Sequence, residues 1–151
     1  MSDVMFLRGI HDVINIQMEK AAESTYMYKF TYDSEMSLLR MVMNVTLPGA
    51  THADELQYLF FPDLSKKLAN RKLLEVGTDM YIIMEYFTQM WTDFAKTGNP
   101  TPKVTDLIRT IWKPLQKTDT YNYLRIDKTL KMESYSKSGQ RFDWNRIKNK
   151  L

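Results

Sequence analysis

Apolar residues recur at helical spacing at the start of the chain and at every second position soon afterwards. Phe6, Ile10, Val13, Ile14, Gln17 and Ala21 share one face, Ser2 is placed to cap, and Asp3 complements the positive end of the dipole, which predicts a first helix. In "TYMYKFTY", residues 25 to 32, Tyr26, Tyr28, Phe30 and Tyr32 alternate with Thr25, Met27, Lys29 and Thr31, a period of two in β-favouring residues that predicts a strand. "DSEMSLLRMVMNVTLPG" follows neither period and ends in Pro48-Gly49, so it is expected to be a long irregular connection with room for one helical turn. From Ala53, the apolar positions Leu56, Leu59 and Phe60 predict a short helix stopping before Pro62, with His52 at its entrance.

The strongest helical pattern runs from about Leu73 to Lys96, with Val76, Met80, Ile83, Met84, Phe87, Met90, Trp91 and Phe94 on one face. "GNP" at 98 to 100 should end it, glycine supplying a left-handed cap and proline forbidding continuation. "YNYLRI" and the run near "LKMES" read as short strands, and "RFDWNRIKNKL" as a terminal helix with a basic outer face. The alternation of helix and strand puts the chain in the α/β class.

Composition narrows the function. At 151 residues with 44% hydrophobic and 13% aromatic side chains, the chain has material for one core and is not a disordered segment. Its 21 basic and 18 acidic side chains are interleaved, so no cationic stripe forms for a phosphate backbone and nucleic acid is not an expected partner. The absence of cysteine excludes a disulfide framework and thiolate zinc sites. Asp3, Arg8 and Asp12 interrupt the first apolar pattern, which fits neither a signal-peptide core nor a transmembrane segment. "NVT" at 44 to 46 is an N-glycosylation sequon, meaningful only in a secreted chain, and cytoplasmic and secreted locations both fit.

Two histidines are the candidate chemistry. His11, on the first helix beside Asp12, reads as a partly exposed helix residue. His52 lies in "LPGATHADELQYLF"; "HADE" has the wrong order for a zinc helix, and two histidines are too few ligands for a metal site.

Several segments, read together, resemble the type-B carboxylesterases, the cholinesterase-like branch of the α/β hydrolases. They are "SDVMF", "TYMYKFTYDSE", "GATHADELQYLF", "MWTDFAKTGNPTP", "IWKPL", "YNYLRI" and the late aromatic pair Phe142 and Trp144, in the family's order and across nearly the whole chain. Within the family the blocks resemble insect non-cholinergic carboxylesterases, and mammalian liver-type carboxylesterases are similar over the same stretches. The resemblance implies that residues 1–151 are the C-terminal portion of a single carboxylesterase domain, with an incomplete hydrolase sheet and flanking helices. It implies that His52 is the catalytic histidine of a Ser–His–acid triad, that Met5 and Phe6 line the substrate pocket, and that Glu55 is a supporting residue behind the triad. It implies a small-molecule carboxylic ester as substrate, no cofactor, and a homodimer contact through the C-terminal helix. The family usually carries glycine after the histidine, where this chain has Ala53.

The larger departure is the nucleophile. The strained elbow G-x-S-x-G needs glycines four apart, and the five glycines at 9, 49, 77, 98 and 139 include no such pair. The glycine-rich oxyanion segment is absent too, and the triad acid is expected upstream, since this fold orders its triad Ser, acid, His. Asp33 or Glu35 could stand in for the acid only where a serine and oxyanion donors exist. These residues alone are therefore expected to be a fragment without esterase turnover. Two alternatives are a cholinesterase-like interaction or sequestering protein that has lost catalysis, and a small basic α/β binding domain whose tail meets an acidic partner.

Overall fold

The computed structural model describes residues 7–20, 22–34, 37–44, 47–60 and 75–137. The elements are α1 (Arg8–Lys20), β1 (Tyr28–Phe30), α2 (Leu38–Met43), α3 (Leu56–Phe60), α4 (Asp79–Thr97), β2 (Thr120–Ile126) and β3 (Leu130–Ser136). Among the described residues the strands form one sheet in the order β1-β2-β3. β1 runs parallel to β2, with Tyr28 opposite Leu124 and Phe30 opposite Ile126, and β2 and β3 form an antiparallel hairpin. The parallel pair is joined by a segment containing α4, as parallel strands require.

The sheet has a helix on each face. Side chains alternate along a strand, so Tyr28, Phe30, Leu124 and Ile126 point one way and Tyr121 the other. The first set meets α4 and builds the main core with Tyr58, Met80, Ile83, Phe87, Met90, Ile108 and Trp112. Tyr121 instead meets α1 through Ile14, with Leu115, Met18, Met27 and Tyr135 completing a second, smaller core. This layering is a partial α/β-hydrolase arrangement with an incomplete sheet. Rings pack closely through the main core: Phe87 lies tilted 4.7 Å from Trp91, and Tyr28 meets Trp91 at 5.2 Å and Trp112 at 6.0 Å edge to face.

The alternating "TYMYKFTY" stretch puts Tyr26, Tyr28, Phe30 and Tyr32 all against the main core. Regular pairing, however, covers only Tyr28–Phe30 rather than eight residues. Single bonds extend the contact at both ends: the Leu124 N–H donates to the Met27 carbonyl at 2.9 Å and the Thr31 N–H to the Ile126 carbonyl at 2.9 Å.

Three expectations need correcting. The long helix begins at Asp79, not Leu73, because Gly77 adopts φ 89° and Thr78 caps, its side chain accepting from the Tyr81 N–H. Val76, expected on the buried face, lies outside the helix and is exposed, and Leu73 is outside the described residues. The C-terminal stop is as expected, Gly98 in the left-handed region with its N–H donating to the Phe94 carbonyl at 2.8 Å. In α1, Ile10 and Val13 are exposed, and the residues that face the sheet are His11 and Ile14. His11, expected to be partly exposed, is buried, at 8% exposure. In α3 the buried positions are Gln57 and Tyr58, while Leu56 and Phe60 are exposed.

The 33–49 connection contains α2, capped by Ser37 and ended by Asn44 in the left-handed region. Met5, Phe6, the cap at Ser2 and Asp3, Ala21, Glu35, Val45, Thr46, Pro62, Phe142, Trp144, the predicted terminal helix and the dimer contact placed on it lie outside the described residues. Among the described residues no helix is long and apolar enough to cross a membrane.

Phe87 is fully buried at the centre of the ring cluster. Phe87→Ala is expected to cost about 3–5 kcal/mol, and urea unfolding followed by tryptophan fluorescence checks this, since Trp91 packs directly on the ring.

Candidate active site

His52 sits on a turn over residues 52–55 between Gly49 and α3, and its side chain is exposed. Two unusual backbone positions shape the turn. Gly49 has φ 104°, which glycine adopts freely, but Ala53, directly after the histidine, has φ 65°. A left-handed alanine costs about 1–2 kcal/mol because its Cβ crowds the following carbonyl. The chain after His52 therefore turns back sharply, and the turn must be held by its surroundings.

Asp54 holds it. Its carboxylate, 1% exposed, accepts from the Thr51 N–H at 2.6 Å, the Thr51 hydroxyl at 2.8 Å and the Ser37 hydroxyl at 2.7 Å. Ser37 is fully buried and also caps α2, so one carboxylate ties the histidine turn to the start of α2, seventeen residues earlier in the chain. Thr51 and Asp54 make half of a capping box, T-x-x-D before an apolar run, which is legible in the sequence. A second clamp lies at the other end of the turn: Arg40 pairs with Asp33 at 2.6 Å and donates to the Gly49 carbonyl, while the Gly49 N–H donates to Asp33 at 2.9 Å. The Gly49 N–H and the Arg40 guanidinium hold the Asp33 carboxyl below its usual value. Asp33 is thus committed to the turn and is not a spare acid.

Glu55 immediately precedes α3, and its carboxylate faces the Tyr28 phenol of β1. Burial first, and then the adjacent Glu55 carboxylate, push the Tyr28 phenol up to about 12. The histidine turn is therefore fastened to α2 at Gly49 and Thr51, while Glu55 faces β1.

The turn borders an open cleft of about 720 Å³. His52, Ala50 and Glu55 form one side of it, Gly9, Ile10 and Val13 of α1 another, and Tyr26, Tyr28 and Phe30 the floor. The exposed side of α1 is thus one wall of the space in front of the histidine. Of the expected site residues, His52 and Glu55 come together here. The sequence reading missed Ser37, Thr51, Asp54 and Tyr28, the residues that fix the turn. Among the described residues no group of three His, Cys, Asp or Glu side chains could hold a metal ion.

A family model described as the carboxylesterase family matches residues 1–143. The chain belongs to the carboxylesterase family. Among curated carboxylesterase relatives, bile salt-activated lipase of Bos taurus is 31% identical over 136 residues, which cover 88% of this chain and 20% of the lipase. Esterase B1 of Culex pipiens is 26% identical over 129 residues, 83% of this chain and 23% of the esterase. The chain therefore spans about a fifth of the length of the curated relatives it matches. In fold it is similar to juvenile hormone esterase from Manduca sexta, a structure with OTFP covalently attached, at TM-score 0.64 and 22% identity over 87% of this chain and 24% of that one.

Two consequences of this geometry are measurable. Ala53→Gly removes the left-handed strain and adds unfolded-chain entropy, for a net gain of about 0.5 kcal/mol, whereas Ala53→Val should destabilise; paired urea midpoints report both signs. The Asp33 clamp is present above the unfolded carboxyl value of 3.8 and is lost as pH falls through the lower folded value. Protection of the Gly49 amide against hydrogen exchange should vanish over that acid window, and Asp33→Asn should remove the protection at neutral pH as well.

Proposed function

We propose that this chain is the C-terminal part of a serine carboxylic ester hydrolase and that His52 is its general base. The observation that carries the reading is the turn itself: in a carboxylesterase-family chain, an exposed histidine is held on a strained backbone by a buried carboxylate, facing a cleft with an apolar floor. A strained, over-determined position is characteristic of a side chain that must be presented at one place.

The chemistry follows from what an imidazole does beside an alcohol. A serine hydroxyl is a weak nucleophile until a neutral ring nitrogen within hydrogen-bond reach takes its proton as the oxygen attacks the ester carbonyl. The imidazolium so formed gives that proton to the departing alkoxide, releasing the alcohol and leaving an acyl-serine. The ring then takes a proton from water, the hydroxide attacks the acyl carbon, and the proton returns to the serine as the acid departs. Ala53 and Asp54 set the direction of the ring, and Glu55, through Tyr28, holds the turn against β1. Met5 and Phe6 contribute to the substrate pocket ahead of α1.

The serine, the acid and the oxyanion donors belong to parts of the hydrolase that these 151 residues do not contain. The 151-residue chain alone is expected to show no turnover, and its contribution is read only in the complete enzyme. The substrate class is the carboxylic esters, with a small molecule whose apolar portion fits the cleft.

The test is fluorophosphonate labelling of the native protein, captured with an antibody to residues 62–75. A labelled band several times heavier than 17.9 kDa supports the reading. In that protein His52→Ala should abolish labelling and lower kcat by about 10⁴- to 10⁶-fold. An unlabelled band of 17.9 kDa would sink it in favour of a non-catalytic cholinesterase-like protein.

A further inference from the structure

Gly9 of α1 has neither of the usual reasons for a glycine. It lies in the first turn of the helix with helical backbone, unlike Gly49, Gly77 and Gly98, whose φ is positive. Nor does another segment press against it: among the described residues, a methyl group added there would meet no heavy atom outside its own helical turn and chain neighbours within 4 Å. Glycine in a helix carries an entropic penalty that alanine avoids. What Gly9 does supply is room. It borders the cleft before His52, and it shares a helix face with Val13, four residues on, which borders the same cleft. A side chain at position 9 would stand beside Val13 at that wall.

The neighbours of Gly9 give this room a chemical character. Ile10 and Val13 are 44% and 58% exposed. Exposed aliphatic residues need no explanation by themselves, but these two stand together on the wall that faces the histidine turn. The floor between the walls is aromatic, formed by Tyr26, Tyr28 and Phe30. No lysine or arginine is among the described residues lining the cleft, and its one carboxylate, Glu55, is on the far wall, so an anionic ligand would find no counter-charge there. The space of about 720 Å³ is in the range that takes a ligand larger than a two-carbon acid.

The next step rests on the esterase reading. If His52 serves the nucleophile, the ester carbonyl sits beside that turn and its substituents run along the cleft, over the rings and against α1. We infer that α1 is the size-selecting wall of the ester pocket: Ile10 and Val13 receive an uncharged hydrocarbon chain, and Gly9 leaves the space that admits a long one. Gly9 is then a specificity position, and the helix forgoes a better helix former to keep the pocket open.

The test compares p-nitrophenyl decanoate with p-nitrophenyl acetate in the complete enzyme, with kcat/KM expressed per site labelled by fluorophosphonate. Gly9→Leu should lower the decanoate-to-acetate ratio by about tenfold or more, the scale on which an apolar pocket discriminates small changes in hydrocarbon size. Gly9→Ala should lower it less. Val13→Ala in the Gly9→Leu background returns space to the same face and should recover part of the ratio. Ile16, exposed on α1 but not among the residues lining the cleft, provides the control, and Ile16→Phe should leave the ratio as it was. A ratio unchanged in Gly9→Leu overturns the inference. So does an equal fall for both esters, the result expected if this wall packs against another part of the enzyme. Either of those results leaves the esterase reading standing, whereas an unsubstituted enzyme that hydrolyses neither ester sinks that reading and this inference with it.

Discussion

Asp54 brings a negative charge to a place where almost no water reaches it, and two segments far apart in sequence supply the hydroxyl and amide donors that make this tolerable. Burying a carboxylate costs several kcal/mol unless its lone pairs are filled. Here the residues that fill them are the residues that must be organised. Thr51 is one position before His52, and Ser37 starts α2. Satisfying the charge therefore fixes the turn, and the strain at Ala53 persists because the same bonds oppose its relaxation. An asparagine would present an NH₂ group to sites that already hold donors. The cluster calls for an acceptor-only group, and this makes the acid a structural requirement of the turn rather than a decoration of it.

The sheet supplies the other half of the arrangement. β1 pairs over only three residues, yet its side chains serve both the core and the site: Phe30 packs on Tyr58 and Phe87, and Tyr28 meets Trp91 while its hydroxyl reaches Glu55. The main core and the histidine turn are consequently coupled through one short strand. Tyr58 on α3 is held by the same rings, which anchors the far side of the turn. Loss of packing at Phe87 would be felt at His52 through these contacts.

How far the sequence could be read depended on whether a local pattern or a distant partner decided each position. The two late strands, though not their pairing as a hairpin, and the end of α4 were legible because short aromatic and aliphatic runs, and Gly98 before Asn99-Pro100, act within a few residues. The start of α4 was not. Apolar residues keep helical spacing back to Leu73, and the break comes from a left-handed Gly77 and a Thr78 cap, which an apolar count does not weigh. The buried face of α1 was misjudged because Tyr121 and Tyr135, more than a hundred residues away, prefer a histidine to the isoleucine and valine beside it. His52 itself became a candidate through the family pattern around it. The T-x-x-D that holds it was readable as a capping box but gave no hint that Ser37 would complete it.

The same fold therefore treats its two histidines in opposite ways. His11 is buried against the rings of Tyr121 and Tyr135, the Tyr135 hydroxyl 2.5 Å from its Nε2, and burial holds its pKa below the ordinary value. His52 is carried on a braced turn with its side chain exposed at the edge of a cleft. This suits the role we propose for it, since a proton shuttle gains and loses a proton in each cycle and needs a fixed backbone with an accessible ring. The bracing at Gly49, Thr51, Asp54 and Glu55 falls on the backbone and on neighbouring side chains, on both sides of the histidine. α1 stands between the two sites, packed on the hairpin by one face and lining the cleft with the other.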